Sequence, residues 1–515
     1  MDAQDPPRVL ALPVGLSATG TRTERDSLGT VEVPANHYWG AQTQRSLTYF
    51  NIGADVLPAA VYHAYGYVKK ACATVNARLG HLPAWKAALI GRVADEVISG
   101  ALDGEFPVHV WQTGSGTQSN MNVNEVIANR AIQLAGGVLG SKDPVHPNDD
   151  VNRSQSTNDT FPAVMHIAAV RTLVDTLLPA LARLRGAVWS KSGQWAHVVK
   201  TGRTHLQDAT PLTVGQEWSG YASQIGDAAE TVAAALAGLR RLAIGGTAVG
   251  TGLNAPEGFG AAVAAEISAL TGEEFVTAPN KFAAMASMDA LVRASAALRS
   301  VAVALFKLAN DVRWLGSGPR TGLGELILPA NEPGSSIMPG KVNPTQAEAM
   351  LMVCLQVMGN DSVVAMAGAE GNFELNAFRP VAIANFLHSA RILADACDSF
   401  GEFLVAGTVL DEARLAGNVA RSVMPVTALT PVIGYDRASA IAHLAVAEDL
   451  TLRDAALRSG VSAELFDAVV VPERLTRPGA VGSGPDPAGS PGAAGPGAAP
   501  PGPGAAPPGG TQAGS

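Results

Sequence analysis

Cysteine is scarce in this chain of 515 residues, and the three cysteines that occur are far apart. Cys72, Cys354 and Cys397 show neither the paired spacing of a zinc site nor the density of a disulfide-stabilised domain. The sequence therefore predicts a reducing compartment and a protein without a structural metal. We also expect no cofactor, because no segment has the spacing of metal ligands.

Positive charge is also limited, with 36 Lys and Arg against 45 Asp and Glu and a net charge of −9. The absence of a strongly basic block argues against nucleic acid and anionic membranes as partners. No apolar run is expected to span a bilayer. The apolar residues 9–16 are interrupted by Pro13 and preceded by Asp2 and Asp5, so we expect no signal peptide and a cytoplasmic protein.

Residues 478–515 consist almost entirely of Pro, Gly, Ala and Ser. Such a segment cannot bury enough apolar surface to offset the entropy lost on ordering, so we expect a disordered tail. Residues 1–22 are predicted to form a flexible N-terminal arm.

Between these ends the hydrophobic pattern is helical. Two stretches, residues 160–195 and 280–315, carry apolar residues at alternating spacings of three and four, which places them on one face of a helix. Pro179 is expected to kink the first stretch. Three further long helices are predicted at about 212–240, 345–366 and 377–405. The two predicted apolar stripes are Ile167, Val170, Val174, Leu177, Leu181, Leu184 and Val188, and Leu291, Ala294, Leu298, Val301, Leu305, Leu308, Val312 and Leu315.

Five helices of this length would each extend roughly 30–50 Å and form an elongated bundle. We therefore predict an all-α protein with a central five-helix bundle at residues 155–412. Smaller domains at residues 23–154 and 413–477 are expected to flank it. The long apolar faces favour self-association, and a monomeric bundle is the alternative.

Four segments beside the helical patterns are rich in glycine, hydroxyl or amide side chains. They are residues 113–120, 146–159, 202–208 and 334–348. The first two are typical of helix starts, where Ser, Thr, Asn and Asp cap free backbone N–H groups. Helix N-termini also attract carboxylates, so four such segments together favour an anion site over simple capping.

The fourth segment begins Gly-Ser-Ser-Ile-Met-Pro-Gly-Lys-Val-Asn-Pro, from residue 334 to residue 344. It combines two adjacent hydroxyls with Lys341 and several turn-forming residues. This composition favours a mobile loop that closes over a small anion and carries a reactive serine. Asn343 is expected to cap the following helix, with Pro344 at its first position and Glu348 near its start.

His205 is the best single acid–base candidate, because imidazole titrates near neutral pH. It lies in a polar run rather than on an apolar stripe. The sequence alone does not show whether His205 meets the serine loop, since only the fold can join such distant segments.

These segments resemble the fumarase/aspartase superfamily and, within it, the iron-independent class II fumarases. The resemblance covers residues 24–477 and includes Trp-Gly-Ala-Gln-Thr-Gln-Arg-Ser at 39–46, Gly-Ser-Gly-Thr at 114–117 and His-Pro-Asn-Asp at 146–149. His205 favours fumarase, because aspartate ammonia-lyases carry glutamine there. Gly340 also fits fumarase better than aspartase.

The resemblance implies reversible hydration of fumarate to (S)-malate, a step of the tricarboxylic acid cycle, without a metal. It implies a three-domain homotetramer in which the helix bundles merge and each active site is shared by three subunits. Ser335, His205 and Glu348 match the catalytic positions. The positions that match substrate-binding residues are Ser115, Gly116, Thr117, Ser156, Thr157, Asn158, Thr204, Ser336, Lys341, Val342 and Asn343.

His146, Asn148 and Asp149 match a second, peripheral dicarboxylate site of the family. Family members carry arginine three residues before this histidine, whereas this chain has Asp143. This departure puts the second site in doubt and leaves the first unaffected.

Three rival interpretations remain at this point. An aspartate ammonia-lyase would use the same carbanion chemistry but expel ammonia. Argininosuccinate- and adenylosuccinate-type lyases need different flanking segments for their bulky leaving groups. A catalytically silent structural protein of the crystallin type is disfavoured by the intact Ser335, His205, Glu348 and Lys341.

Overall fold

The computed structural model describes residues 6–479. The predicted disordered tail at 478–515 lies outside the described residues, apart from its first two positions. The helical content is 60% and the strand content 8%, which confirms the predicted all-α class. The α-helices are α1 (Ala41–Tyr49), α2 (Ala59–Arg78), α3 (Ala84–Ile98), α4 (Thr117–Leu134), α5 (Thr157–Thr172), α6 (Leu178–Gln194), α7 (Val214–Leu239), α8 (Phe259–Thr271), α9 (Lys281–Ala286), α10 (Asp289–Leu315), α11 (Thr345–Ala369), α12 (Arg379–Phe400), α13 (Glu412–Arg421), α14 (Thr430–Ile433), α15 (Tyr435–Ala447), α16 (Leu452–Arg458) and α17 (Ala463–Val469).

Short strands form four two-stranded sheets within the described part of the chain. Three of the pairs are antiparallel, and the third pair along the chain is parallel. The paired strands are β1 (Thr21–Asp26) with β2 (Gly29–Pro34), β3 (Val199–Thr204) with β4 (Gln207–Thr213), β5 (Arg241–Leu242) with β6 (Val276–Thr277), and β7 (Leu326–Ile327) with β8 (Val409–Leu410).

The apolar stripe predicted for residues 280–315 is the buried face of α10. All eight of its predicted members, from Leu291 to Leu315, are buried. Helix α11 packs against α10 on one side and against α12 on the other. The predicted stretch does not form one helix, because α9 ends at Ala286 and α10 begins at Asp289.

The predicted helix at residues 160–195 is interrupted by a single π turn, Leu173–Leu177, between α5 and α6. Pro179 lacks the backbone N–H that would continue regular hydrogen bonding there, which accounts for the irregularity at this point. The π turn shifts the phase of the stripe, so Leu173 is buried and Val174 only partly buried. The prediction of Val174 as a core residue was therefore wrong.

The described residues form two compact units. The first comprises residues 6–187, 223–318 and 328–408, and the second comprises residues 188–222, 319–327 and 409–479. The predicted boundaries of three domains, an arm and a tail stay predictions. Within the first unit, the Leu10 N–H donates to the carbonyl of Leu134 at 2.7 Å, and Arg130 donates to the carbonyls of Leu12 and Pro13.

In the second unit, a small apolar core lies between Val426 and Val469. The β3–β4 hairpin belongs to the same unit. Cys72, Cys354 and Cys397 are all free and buried.

Two helical stretches are long and apolar enough to cross a bilayer by length and composition, namely Thr157–Gln194 and Thr345–Ala369. This corrects the expectation that no apolar stretch reaches that length. Their mean hydropathy is raised by alanine as well as by large apolar side chains. In the most apolar window of Thr157–Gln194, 56% of the residues are buried inside the protein, as in many core helices.

Candidate active site

The Ser335 hydroxyl accepts two backbone hydrogen bonds. The donors are the N–H groups of Ile337 and Met338, at 3.2 and 3.0 Å from Ser335 Oγ. Two N–H dipoles directed at one oxygen stabilise negative charge on it. The loop therefore directs two backbone donors at the Ser335 oxygen.

The loop that carries Ser335 is closed on itself. The Gly334 N–H donates to the carbonyl of Lys341 at 3.1 Å, and Asn343 Nδ2 donates to the carbonyl of Gly334 at 2.5 Å. A Cβ on Gly334 would lie 2.2 Å from that Lys341 oxygen, so only glycine fits there. These contacts join the two ends of the segment and hold Ser335 between them.

The predicted cap of the following helix is wrong. Helix α11 begins at Thr345 with Pro344 at the cap position, and no side chain supplies the capping hydrogen bond. Asn343 donates to Gly334 instead, and Gln346 accepts from Ser399 Oγ at 2.9 Å. The side chain expected to cap the helix thus closes the loop, and Gln346 joins α11 to α12.

Glu348 lies in the first turn of α11 and is exposed. Ser336, Lys341 and Val342 are also exposed, whereas Ser335 is partly buried. The reactive-loop residues are therefore accessible to a ligand or to another chain.

Residues 113–117 form a tight turn that leads into α4. Gly116, at the cap position, has φ +82°, and the ring of Phe161 would lie 2.6 Å from any Cβ there. Glycine is needed at this position for both reasons. The turn brings Ser115 Oγ to 2.9 Å from Thr117 Oγ1, so two hydroxyls stand together at the helix start.

Helix α5 begins with a complete capping box. Ser156 Oγ accepts from the Asn158 N–H at 3.3 Å, and Asp159 Oδ1 accepts from the Ser156 N–H at 2.9 Å. Asp159 Oδ2 also accepts from the N–H groups of Gly245 and Thr247. Burial raises the pKa of Asp159 to about 6, against the effect of these backbone donors.

The two helix starts are joined by side chains outside the predicted site. Asn120 Nδ2 donates to Thr157 Oγ1 at 3.0 Å, linking α4 to α5. The buried Arg379, at the start of α12, contacts both segments. Its backbone N–H donates to the Gly114 carbonyl at 3.2 Å, and its side-chain Nη1 donates to the Asn158 carbonyl at 3.1 Å. The structure thus brings the first and second predicted segments together.

His205 stands at the tip of the β3–β4 hairpin. Thr204 pairs with Gln207, so His205 and Leu206 form a two-residue turn with φ +56° and +61°. Two consecutive left-handed residues define a type I′ turn, which normally carries Asn or Gly. His205 and Thr204 are both exposed, and the left-handed backbone of the turn includes both the proposed acid–base residue and Leu206.

A buried ionic network stabilises this hairpin within the second unit. Glu325, almost fully buried, lies 3.1 Å from Lys200 Nζ and 2.5 Å from Arg203 Nη2. Lys200 also contacts Glu217 at 2.7 Å. The adjacent cations and their hydrogen bonds lower the pKa of Glu325 although burial opposes this, so its carboxylate is held ionised.

In the peripheral segment, residues 146–149, the predicted binding side chain forms hydrogen bonds with the backbone of the same segment. His146 caps the π turn Pro147–Val151, and its Nδ1 accepts from the N–H groups of Asn148 and Asp149, each at 3.1 Å. The Asp149 carboxylate lies 3.5 Å from the same nitrogen. A small cavity of about 30 Å³ nearby is lined in part by Glu24, Asp26, Glu125, Lys142 and Asn148. The binding of a dicarboxylate there stays a prediction.

Sequence reasoning missed three parts of the first unit that contact the predicted site. Arg379 and Lys69 carry no local signal, because a buried cation is recognisable only from its partners. The loop at residues 245–252 has four glycines, which is a usable signal, and its Ala248 carbonyl accepts from Asn158 Nδ2 at 2.8 Å.

The predicted catalytic residues belong to different units of the chain. Ser335 and Glu348 belong to the first unit, whereas Thr204 and His205 belong to the second.

Comparisons with known proteins identify the family of the chain. A family model described as lyase matches residues 29–359, and one described as fumarase C C-terminus matches residues 426–477. A class II fumarate hydratase of Methanosarcina acetivorans is 66% identical over 470 residues, covering 91% of this chain and 97% of that protein. One of Ralstonia nicotianae is 59% identical over 456 residues, covering 88% and 99%.

The crystal structure of a class II fumarase from Schistosoma mansoni superposes with a TM-score of 0.87 at 42% identity. The match covers 89% of this chain and 99% of that one. Identity of this degree extends over nearly the whole length of these relatives. The chain therefore belongs to the class II fumarate hydratase family.

Proposed function

We propose that this chain catalyses the reversible hydration of fumarate to (S)-malate, with Ser335 as the base. The observation that carries the proposal is the pair of N–H groups of Ile337 and Met338 directed at Ser335 Oγ. A free serine hydroxyl is far too weakly acidic to remove a proton from carbon. Hydrogen bonds to the oxygen favour its anionic form, and Lys341 in the same loop adds positive charge.

Dehydration of malate removes a proton from the carbon beside a carboxylate. The electron pair moves into that carboxylate and gives an aci-carboxylate with an additional negative charge. Preorganised donors are effective at this stage, because they are directed at the charge that develops in the transition state. Lys341 and the N–H groups of the α4 and α5 starts would provide them.

His205 would protonate the departing hydroxyl, directly or through water, and Glu348 would orient the imidazole and balance its charge. General acid–base catalysis of this kind typically contributes about 10²–10⁴-fold. The exposed position of His205 at a hairpin tip and of Glu348 in the first turn of α11 supports roles for both at a surface shared with other chains.

The binding of a dicarboxylate is assigned to the two joined helix starts and the serine loop. Ser115, Gly116 and Thr117 would hold one carboxylate through hydroxyl and backbone donors. Ser156, Thr157 and Asn158 would hold the other. Thr204, Ser336, Lys341, Val342 and Asn343 would complete the site as the loop closes.

A homotetramer with shared active sites is part of the proposal. Helix α11 buries one face against α10 and α12 and leaves a second apolar stripe exposed. Met352, Leu355 and Met366 on this stripe are 64%, 59% and 70% exposed. Exposed large apolar side chains on a bundle helix favour packing against a second bundle. We also propose that the protein is cytoplasmic and needs no cofactor.

The proposed activity is tested by following fumarate absorbance with the purified protein and malate, in parallel with an assay on aspartate. Conversion of malate and not of aspartate is expected, and the opposite result would favour the ammonia-lyase alternative. Ser335→Ala should lower turnover at least about 100-fold while the oligomer stays intact. Near-normal turnover in that variant would remove Ser335 from the role of base.

Two histidine variants give a matched comparison. His205→Asn should reduce turnover strongly, whereas His388→Asn, at an exposed position on α12, should not. Equal losses in both variants would contradict a specific role for His205.

A further inference from the structure

Lys69 on α2 is fully buried and donates to the side-chain oxygens of three amide residues. Its Nζ lies 2.7 Å from Asn120 Oδ1, 3.1 Å from Asn152 Oδ1 and 2.9 Å from Gln155 Oε1. An ammonium group has three donors and no acceptor, so these contacts use its whole hydrogen-bonding capacity. A buried lysine is usually paired with a carboxylate, and three neutral amides instead leave its positive charge uncompensated at contact distance.

The three amides lie between the two proposed substrate-binding segments. Asn120 is in the first turns of α4, and Asn152 and Gln155 precede the start of α5. Asn120 Nδ2 donates both to Thr157 Oγ1 at 3.0 Å and to Asn152 Oδ1 at 3.1 Å. A continuous hydrogen-bonded chain therefore runs from the ammonium of Lys69 through Asn120 to the hydroxyl of Thr157.

This chain has a fixed direction. Lys69 can only donate, so Asn120 turns its oxygen towards Lys69 and its amino group towards Thr157. A hydroxyl has one hydrogen, and the Thr157 oxygen already accepts from Asn120. The hydrogen of Thr157 is therefore left to donate to a further acceptor, at the first residue of α5, where a helix N-terminus favours a carboxylate.

We propose that Lys69 is a positioning residue that acts through Asn120 to hold the Thr157 hydroxyl as a donor to the substrate carboxylate. The inference rests on the proposed function, in which Thr157 binds a dicarboxylate. Without Lys69, the Asn120 amide can rotate and present its oxygen to Thr157. The Thr157 hydrogen would then be directed to Asn120 and lost to the substrate.

Burial lowers the pKa of Lys69 to about 7, and Asp159 acts in the opposite direction. The groups around the ammonium include the ring of Tyr65 on the same helix, at 5.7 Å, and the buried Cys72 one turn further along. A bound dianion would favour the charged form of Lys69. The direction of the hydrogen-bond chain does not depend on this coupling alone, because Asn152 Oδ1 also accepts from Asn120 Nδ2 and holds the Asn120 amino group on the side of Thr157.

The most direct test is Asn120→Asp. The new side chain has the same shape and keeps a contact with Lys69 as an ion pair, so the fold should be retained. It has no amino group and can only accept from Thr157. We expect kcat/KM for malate to fall at least about 10-fold, mainly through KM, which corresponds to one lost hydrogen bond to a charged group.

Four further variants separate this role from a structural one. Lys69→Met should lower kcat/KM comparably, while Lys70→Met should leave it unchanged, because the neighbouring Lys70 pairs with the exposed Asp95. In Thr157→Val, kcat/KM should fall, and adding Asn120→Asp should cause no further loss, because the hydroxyl through which Asn120 acts is gone. Thermal unfolding and oligomer size are recorded for every variant.

The outcomes separate the inference from the function on which it rests. Wild-type kcat/KM in Asn120→Asp, with a loss in Thr157→Val, would overturn the positioning role and leave the proposed function intact. Additive losses in the double variant would also overturn it. Normal activity in Thr157→Val would remove Thr157 from the site and the inference with it, whereas a wild-type protein inactive on malate and fumarate would overturn the proposed function itself.

Discussion

The carbonyl oxygen of Ala377 packs directly against Gly114, so that a Cβ on Gly114 would lie 1.4 Å from it. The Arg379 N–H donates to the carbonyl of Gly114 at 3.2 Å in the same contact. Only glycine allows the backbone before α4 to approach the segment before α12 this closely. The contact therefore fixes where Ser115 and Thr117 stand.

Gly114→Ala should displace this backbone. We expect kcat/KM to fall by about 100-fold, because small misplacements of binding groups are costly, and the free energy of unfolding to fall by about 1–3 kcal/mol. The control is Gly186→Ala on the exposed face of α6, where a Cβ has nothing within 4 Å. That change should stabilise the helix by about 0.5–1 kcal/mol and leave activity unchanged. A wild-type value of kcat/KM in Gly114→Ala would contradict the claim that this contact positions Ser115 and Thr117.

The turn at His205 and Leu206 predicts a stabilising substitution. Leu206 is 69% exposed and has φ +61°, so its side chain gains little from burial while the backbone is strained. Leu206→Gly should raise the free energy of unfolding of the second unit by about 1 kcal/mol. Leu28→Gly at the tip of the β1–β2 hairpin is the control, because Gly29 already supplies the positive φ there. That variant should be neutral or destabilised, and equal effects of the two changes in urea unfolding would refute strain at Leu206.

We expect the stability of the β3–β4 hairpin to depend on the Glu325 carboxylate. Glu325→Ala would leave the buried Lys200 and the partly buried Arg203 with too little negative charge, and loss of one partner of a buried pair typically costs about 3–5 kcal/mol. Turnover should fall with stability, since Arg203 is two residues from His205. Asp467→Ala removes an exposed partner of Arg453 and should leave the free energy of unfolding nearly unchanged. Equal destabilisation of the two variants would show that the Glu325 network contributes no more than a surface pair.

Asp159 gives a pH dependence with a defined sign. Burial raises its pKa to about 6 in the folded protein, from about 4 in an unfolded chain. The folded state therefore binds the proton more tightly, and the associated stability is present below about pH 4 and lost as the pH rises through 6. Asp159→Asn cannot titrate in this range. The advantage of wild type over the variant should shrink by up to about 3 kcal/mol between pH 4 and pH 7, and a constant difference would contradict the raised pKa.

Much of the fold follows from periodicity, as the buried face of α10 illustrates. Alternating spacings of three and four predict which side of a helix is buried, and all eight predicted positions of α10 are buried. The same rule fails at Val174, because the π turn Leu173–Leu177 adds a residue to one turn. Pro179 indicates that the helix is irregular near that point, but the form of the irregularity depends on tertiary packing.

The candidate site likewise contains features that local sequence rules predict and features that they do not. Ser156 and Asp159 are recognisable as a capping box from their spacing alone, and the structure contains it. Asn343 fits a helix cap equally well by sequence, yet it closes the serine loop through Gly334. Local rules do not choose between a helix N–H, from which the Asn343 oxygen would accept, and the Gly334 carbonyl, to which its amino group donates. Lys69 was missed because its three amide partners are distant in sequence and meet only in the fold.

Complementation between inactive variants tests the central claim most directly. If each active site takes Ser335 from one subunit and His205 from another, tetramers mixed from Ser335→Ala and His205→Asn chains contain sites with both residues intact. Random mixing of equal amounts should restore about a quarter of the wild-type turnover of malate, although each variant alone is nearly inactive. No recovery in mixed tetramers of verified composition would contradict an active site shared between subunits.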